Sequence, residues 1–145
     1  MITLEQSTEK STNEIAQLWF DSLNNGDTKT AFDLIADDVT WQNISSTKGL
    51  SDVAPWLGTY HGKAEVLESF NVWAAKSKPN LFELYQLIVK EDEALGFVHE
   101  NATCIANGNS YDLYVATHLK IKDRKIVSWR VYWDPSPLIA AYKGI

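Results

Sequence analysis

A single cysteine, Cys104, in 145 residues excludes an intrachain disulfide and the bridged framework of a small secreted domain. No apolar run approaches the ~18 residues that a membrane span requires. The stretch from Met1 to Lys10 alternates polar and charged side chains without an apolar segment, so it does not read as a signal peptide. Together these absences lead us to expect a cytoplasmic protein with no membrane partner. Basic charge is also scarce. The 13 Lys and Arg against 19 Asp and Glu leave a net charge of −6, which repels phosphate backbones, so nucleic acid is not an expected partner. The one basic cluster, Lys120, Lys122, Arg124 and Lys125, surrounds a hairpin turn and reads as a solvated tip.

Several chemistries lack their residues. There is no Gly-x-x-x-x-Gly-Lys-Ser/Thr phosphate loop and no Gly-x-Ser-x-Gly nucleophile elbow. His99-Glu100 opens like a zinc-helix signature, but Thr103 stands where the second histidine is required, and the segment has strand character. His61 and His118 are distant in sequence, so no metal is expected and no cofactor is called for. Alternation puts Cys104 on the strand face opposite His99, which argues against a Cys-His nucleophile and for an inert buried thiol.

What the chain does have is aromatic mass: six Trp, six Tyr and five Phe, more large rings than one core of this size needs. The surplus is expected in a pocket or a subunit interface. The length suits one domain spanning 1–145, and folding should bury about 68–70% of the unfolded surface. Ser11-Thr12-Asn13-Glu14 fits a capping box before a helix with Ile15, Leu18, Trp19 and Leu23 on one stripe, ended at Gly26. Asp27 caps a second helix, and Thr40 to Ile44 forms a short strand. A loop from Ser45 to Tyr60 precedes a third helix over about Lys63 to Ala75, which the Pro79 region breaks. Four β segments follow over 81–90, 94–106, 110–121 and 126–133, with short turns that include Asn107-Gly108. The pattern is α+β, with helices on one face of a curved, mostly antiparallel sheet.

Alternation along the second of these strands places Phe97, His99, Asn101, Thr103 and Ile105 on one face and Val98, Glu100, Ala102, Cys104 and Ala106 on the other. The three polar groups His99, Asn101 and Thr103 between apolar ends read as a wet corner of a cavity. In the third strand Leu113, Val115 and Thr117 oppose Tyr114, Ala116 and His118. In the last, Trp129, Val131 and Trp133 oppose Arg130, Tyr132 and Asp134. Large side chains on both sheet faces imply two covers: the helices on one, a second copy of the chain on the other.

Asp37-Asp38-Val39-Thr40-Trp41, the long loop, Gly58-Thr59-Tyr60-His61-Gly62-Lys63 before a helix, and Lys125 to Asp134 at the end resemble the nuclear-transport-factor-2-like superfamily. More narrowly, the chain resembles its SnoaL-like polyketide cyclase and limonene epoxide hydrolase branches, from about Asn13 to Tyr142. The resemblance implies a cone-shaped α+β barrel, three N-terminal helices on a strongly curved sheet around an apolar cavity, and homodimers through the outer sheet face. Active sites carry over unevenly. The epoxide hydrolases' Tyr-x-Asn falls on Trp41-Gln42-Asn43, their Arg-x-Asp on His99-Glu100-Asn101, and their second Asp on Val131. The ketosteroid isomerases' base Asp falls on Asn43 and their oxyanion Tyr on Trp19. Two functional classes follow. The first is a cofactor-independent isomerase, cyclase or hydrolase acting on a small hydrophobic molecule, with His99 as acid or base and Asn43 and Asn101 orienting the substrate. The second is a non-catalytic carrier or sensor of such a molecule. In both, Trp41, Trp56, Tyr60, His61, Thr103, Trp129, Val131 and Trp133 are the expected ligand contacts.

Overall fold

The computed structural model describes residues 2–145. Helix α1, Leu4–Asn24, starts a full two turns before the expected capping box. Thr3 and Gln6 cap it instead: Thr3 Oγ1 accepts from the Gln6 N–H (3.1 Å) and Gln6 Oε1 accepts from the Thr3 N–H (2.8 Å). Thr12, expected to help cap, lies inside the helix and donates to the carbonyl of Glu91 (2.7 Å), tying α1 to a strand turn. Leu18, assigned to the buried stripe, is 42% exposed, whereas Ile15, Ala16, Trp19 and Phe20 are buried. Asp27 caps α2, Thr28–Asp33, as its position suggests, accepting from the Thr30 N–H at 3.1 Å.

Strand β1, Ile35–Asn43, is longer than the expected segment, and the expected loop after it holds a short helix α3, Leu50–Val53, and a strand β2, Gly58–His61. Helix α4, Lys63–Ala74, falls where the pattern places it. Strand β3, Ser77–Lys90, runs through Pro79 rather than starting after it. Its position at the sheet edge explains the tolerance: an edge strand need not donate from every residue, and the register shifts between Pro79 and Leu81. Strands β4 (Glu93–Cys104), β5 (Ser110–Lys122) and β6 (Lys125–Trp133) complete the meander, and the tail forms helix α5, Ser136–Lys143.

The architecture is α+β. Six strands in the order β2-β1-β6-β5-β4-β3 make one curved, unclosed sheet, antiparallel except where β1 runs parallel to β6. The inner face is packed by α1, α4 and α5. Gly96 on β4 lets the Phe20 ring lie against the strand, since a Cβ there would sit 2.3 Å from a ring carbon. Tyr142 of α5 hydrogen-bonds Ser77 Oγ and donates to the Lys76 carbonyl (3.0 Å), and Ser77 in turn pairs with Tyr111 (2.9 Å), so α5 is latched over one end of the sheet. Among the described residues, no helix is long and apolar enough to cross a membrane.

Candidate functional site

Register decides which side chains of β4 face inward. His99 pairs with Tyr114, Glu100 with Leu113 and Val98 with Val115, and partners in a ladder project from the same side. Leu113, Val115 and Thr117 line a pocket of about 240 Å3 beneath the helices, and Glu100 lines it with them. The sequence pattern had put His99, Asn101 and Thr103 on the cavity side; the structure places all three on the outer face.

There they form a satisfied surface network. His99 Nε2 lies 2.7 Å from Asp112 Oδ1, and its ring stacks flat on Tyr114 at 4.5 Å. Asn101 donates to the same Asp112 oxygen (3.1 Å), and Asn80 donates to Asn101 Oδ1 (2.9 Å) and Thr103 Oγ1 (2.8 Å). Hydrogen bonds from His99 and then Asn101 hold the Asp112 carboxyl below its ordinary range. This ladder joins β3, β4 and β5 across the outer face and touches nothing in the pocket.

Other expected contacts do converge. Trp41, Asn43, Trp56, Trp129, Val131 and Trp133 all line the pocket. Tyr60 stands behind the wall, its hydroxyl donating to the Trp56 carbonyl (2.7 Å), and His61 is exposed outside it, its backbone N–H held by Glu65 (3.0 Å). With Trp19 and Trp73, every tryptophan of the chain borders this one space. Their geometry is fixed by packing: Trp41 and Trp129 stack in parallel at 4.2 Å, Trp19 stands edge-on to Trp41 at 5.7 Å, and Trp133 Nε1 donates to the Ile44 carbonyl (3.0 Å). Trp19 Nε1 is buried and has no hydrogen-bond acceptor.

Glu100 is the residue that the sequence pattern passed over. It is the one charged side chain among the described residues lining the pocket, with no Lys, Arg or His beside it. Glu100 is half-buried and lines the pocket, and burial pushes its carboxyl up to about 7. Tyr111 also lines the pocket, its phenol raised chiefly by burial and further by the neighbouring Glu100, so it stays neutral. A carboxyl that is half protonated near neutral pH, walled by indoles, can give or take a proton or meet a positive charge. Among the described residues, no three His, Cys, Asp or Glu side chains are grouped to hold a metal ion.

The SnoaL-like domain model matches residues 16–129. Among solved structures, a nuclear-transport-factor-2-like protein from Burkholderia thailandensis is 20% identical, with a TM-score of 0.78 over 90% of this chain and 95% of that one. An epoxide hydrolase of the limonene epoxide hydrolase-like kind from Mycobacterium tuberculosis is 12% identical, with a TM-score of 0.69 over 94% and 92%. A Catenulispora acidiphila protein with a ketosteroid isomerase-like fold, solved in complex with trimethylamine, is 15% identical, with a TM-score of 0.71 over 90% and 92%. No curated protein sequence matches the chain. The matched model spans more than half of the chain, from within α1 to Trp129 in β6, and with the nuclear-transport-factor-2-like folds of its structural neighbours it establishes that the chain belongs to the SnoaL-like domain family.

Proposed function

We propose that the chain binds a small, largely apolar molecule in the 240 Å3 pocket and that Glu100 exchanges a proton with it. The observation that carries this reading is the solitary carboxyl, raised to about 7 by burial, in a space lined chiefly by rings and aliphatic groups, with Thr28, Asn43, Ser69 and Thr117 as uncharged polar neighbours. At neutral pH both its forms are populated, which suits a general acid or base that must be regenerated in each cycle. Glu100 thus takes the part first assigned to His99, while Asn43 orients the bound molecule and Trp41, Trp56, Trp129, Val131 and Trp133 form the apolar wall. The chemistry within reach is a proton transfer without a cofactor: isomerisation, cyclisation or hydrolysis. The trimethylamine complex of the C. acidiphila structure supports a small molecule as occupant of a fold of this kind.

A carrier or sensor is the second reading, favoured by Glu100 standing alone: Tyr111 remains protonated and no imidazole enters the pocket. One experiment separates the two. Cyclic enones, epoxides and β-keto esters are incubated with the protein in D2O and followed by proton NMR. Turnover, or deuterium exchange at an acidic C–H, that Glu100→Gln abolishes and His99→Ala preserves supports catalysis at Glu100. Saturable binding of molecules recovered intact supports the carrier. Activity lost in His99→Ala but kept in Glu100→Gln overturns the assignment.

We also propose that two copies pair through the outer sheet face, where Tyr85, Tyr114, Tyr132 and Ile88 are about half exposed or more.

A further inference from the structure

We infer that the molecule the pocket takes is a small alkylammonium cation, seated among the tryptophan rings with its charge against the Glu100 carboxylate. This rests on the small-molecule reading above and adds the sign of the ligand's charge. Three features of the pocket point the same way. First, its only formal charge is negative and unpaired: none of the described lining residues on α1, α4, β1, β3, β5, β6 or α5 is Lys, Arg or His. A carboxylate taken out of water without a partner is costly, and a cation entering beside it removes that cost. An anion entering would double it.

Second, all six tryptophans border this space, together with Phe70 and Phe82. Indole faces carry the negative side of the ring quadrupole, and a desolvated cation gains most against tryptophan. A neutral hydrocarbon would be served equally by leucine or valine, which need no such concentration of one residue type. Third, the net charge of −6 raises the local concentration of small cations around the molecule.

The cation requires ionised Glu100, so below pH 7 its entry expels the Glu100 proton to solvent, with no other group changing charge. Tyr111 from β5 and Tyr142 from α5 are the nearby phenols, and burial keeps both above their ordinary range and neutral in this window.

The test uses choline and 3,3-dimethylbutan-1-ol, which share a shape and differ in charge, titrated calorimetrically against the protein. Choline is expected to bind about tenfold more tightly at pH 8 than at pH 6, following the ionised fraction of a carboxyl that titrates near 7. The neutral alcohol is expected to bind more weakly than choline at pH 8, with no pH dependence, and Glu100→Gln is expected to remove choline's advantage. Equal or tighter binding of the alcohol, or choline affinity unchanged between pH 6 and 8, overturns the inference. If the Gln variant does not fold, the pH comparison on the unsubstituted protein decides alone. Tryptophan fluorescence that saturates with the alcohol but not with choline defeats the cation and leaves the small-molecule reading standing; a response to neither probe removes both.

Discussion

At the scale of single residues, the pocket turns on one carboxyl. Glu100 binds its proton more tightly in the folded chain, titrating at about 7, than in the unfolded chain at its ordinary 4.5. Folding therefore takes up a proton between those values, and stability from this group is fully present below 4.5 and lost as pH rises through 7. At 1.36 kcal/mol per unit, the loss is of the order of 3 kcal/mol. Glu100→Gln keeps the size and removes the titration. Urea unfolding is expected to show the variant equal to the parent near pH 4 and more stable than it by up to about 3 kcal/mol at pH 8. Parallel pH curves for the two proteins would show that the carboxyl is solvated. That a buried acid is kept at a site where an amide would be more stable is the usual sign of a functional group.

Among elements, α1 lies across β3 and touches the neighbouring β4. The inner side of β4 carries Ala94, Gly96, Val98, Ala102 and Cys104 beside Glu100; these five are buried and small or medium-sized, and at Gly96 the Phe20 ring of α1 comes close. Gly96→Ala would drive a methyl into the buried Phe20 ring, which also stacks on Phe82 at 6.3 Å, and should cost about 1–3 kcal/mol. A double-mutant cycle checks the cause: with Phe20→Leu in place, the same glycine substitution should cost less, and additive costs would place the strain elsewhere. These small inward side chains also explain the misreading of β4. Phe97 and Ile105 gave the His99 side the larger apolar ends, so size pointed to the wrong face. The turn ties the faces of β4 to those of β5 without saying which of them is inward. If Asn107-Gly108 forms the tip, Ala106 falls opposite Asn109 and Glu100 opposite Val115; the observed partner is Leu113, on that same face.

For the whole molecule, the curved sheet leaves its convex side uncovered, with Tyr85, Tyr114 and Tyr132 exposed by 54%, 65% and 51%. Pairing through that face predicts a sedimenting species of twice the 16.4 kDa chain mass at micromolar concentration. Tyr114→Asp, a charge at the centre of the patch, should return it to the single-chain mass. A parent protein that sediments as one chain would remove the pairing. His99 and Asp112 lie on this same face, so their hydrogen-bonded pair belongs to the surface where two copies would meet and not to the pocket. The sequence by itself determined the class of fold, the first two helices, the helix α4 and the four-strand meander, the Asp27 cap, and four of the six tryptophans of the pocket, Trp41, Trp56, Trp129 and Trp133. Each of these follows from local periodicity, capping chemistry or an alternation whose two faces differ plainly in polarity. Only the tertiary structure decided that Glu100 and not His99 faces inward, that β3 runs through Pro79, and that Thr12 holds a turn rather than a cap. Each depends on a partner distant in sequence: a strand register, a sheet edge, a carbonyl that folding brings to the helix.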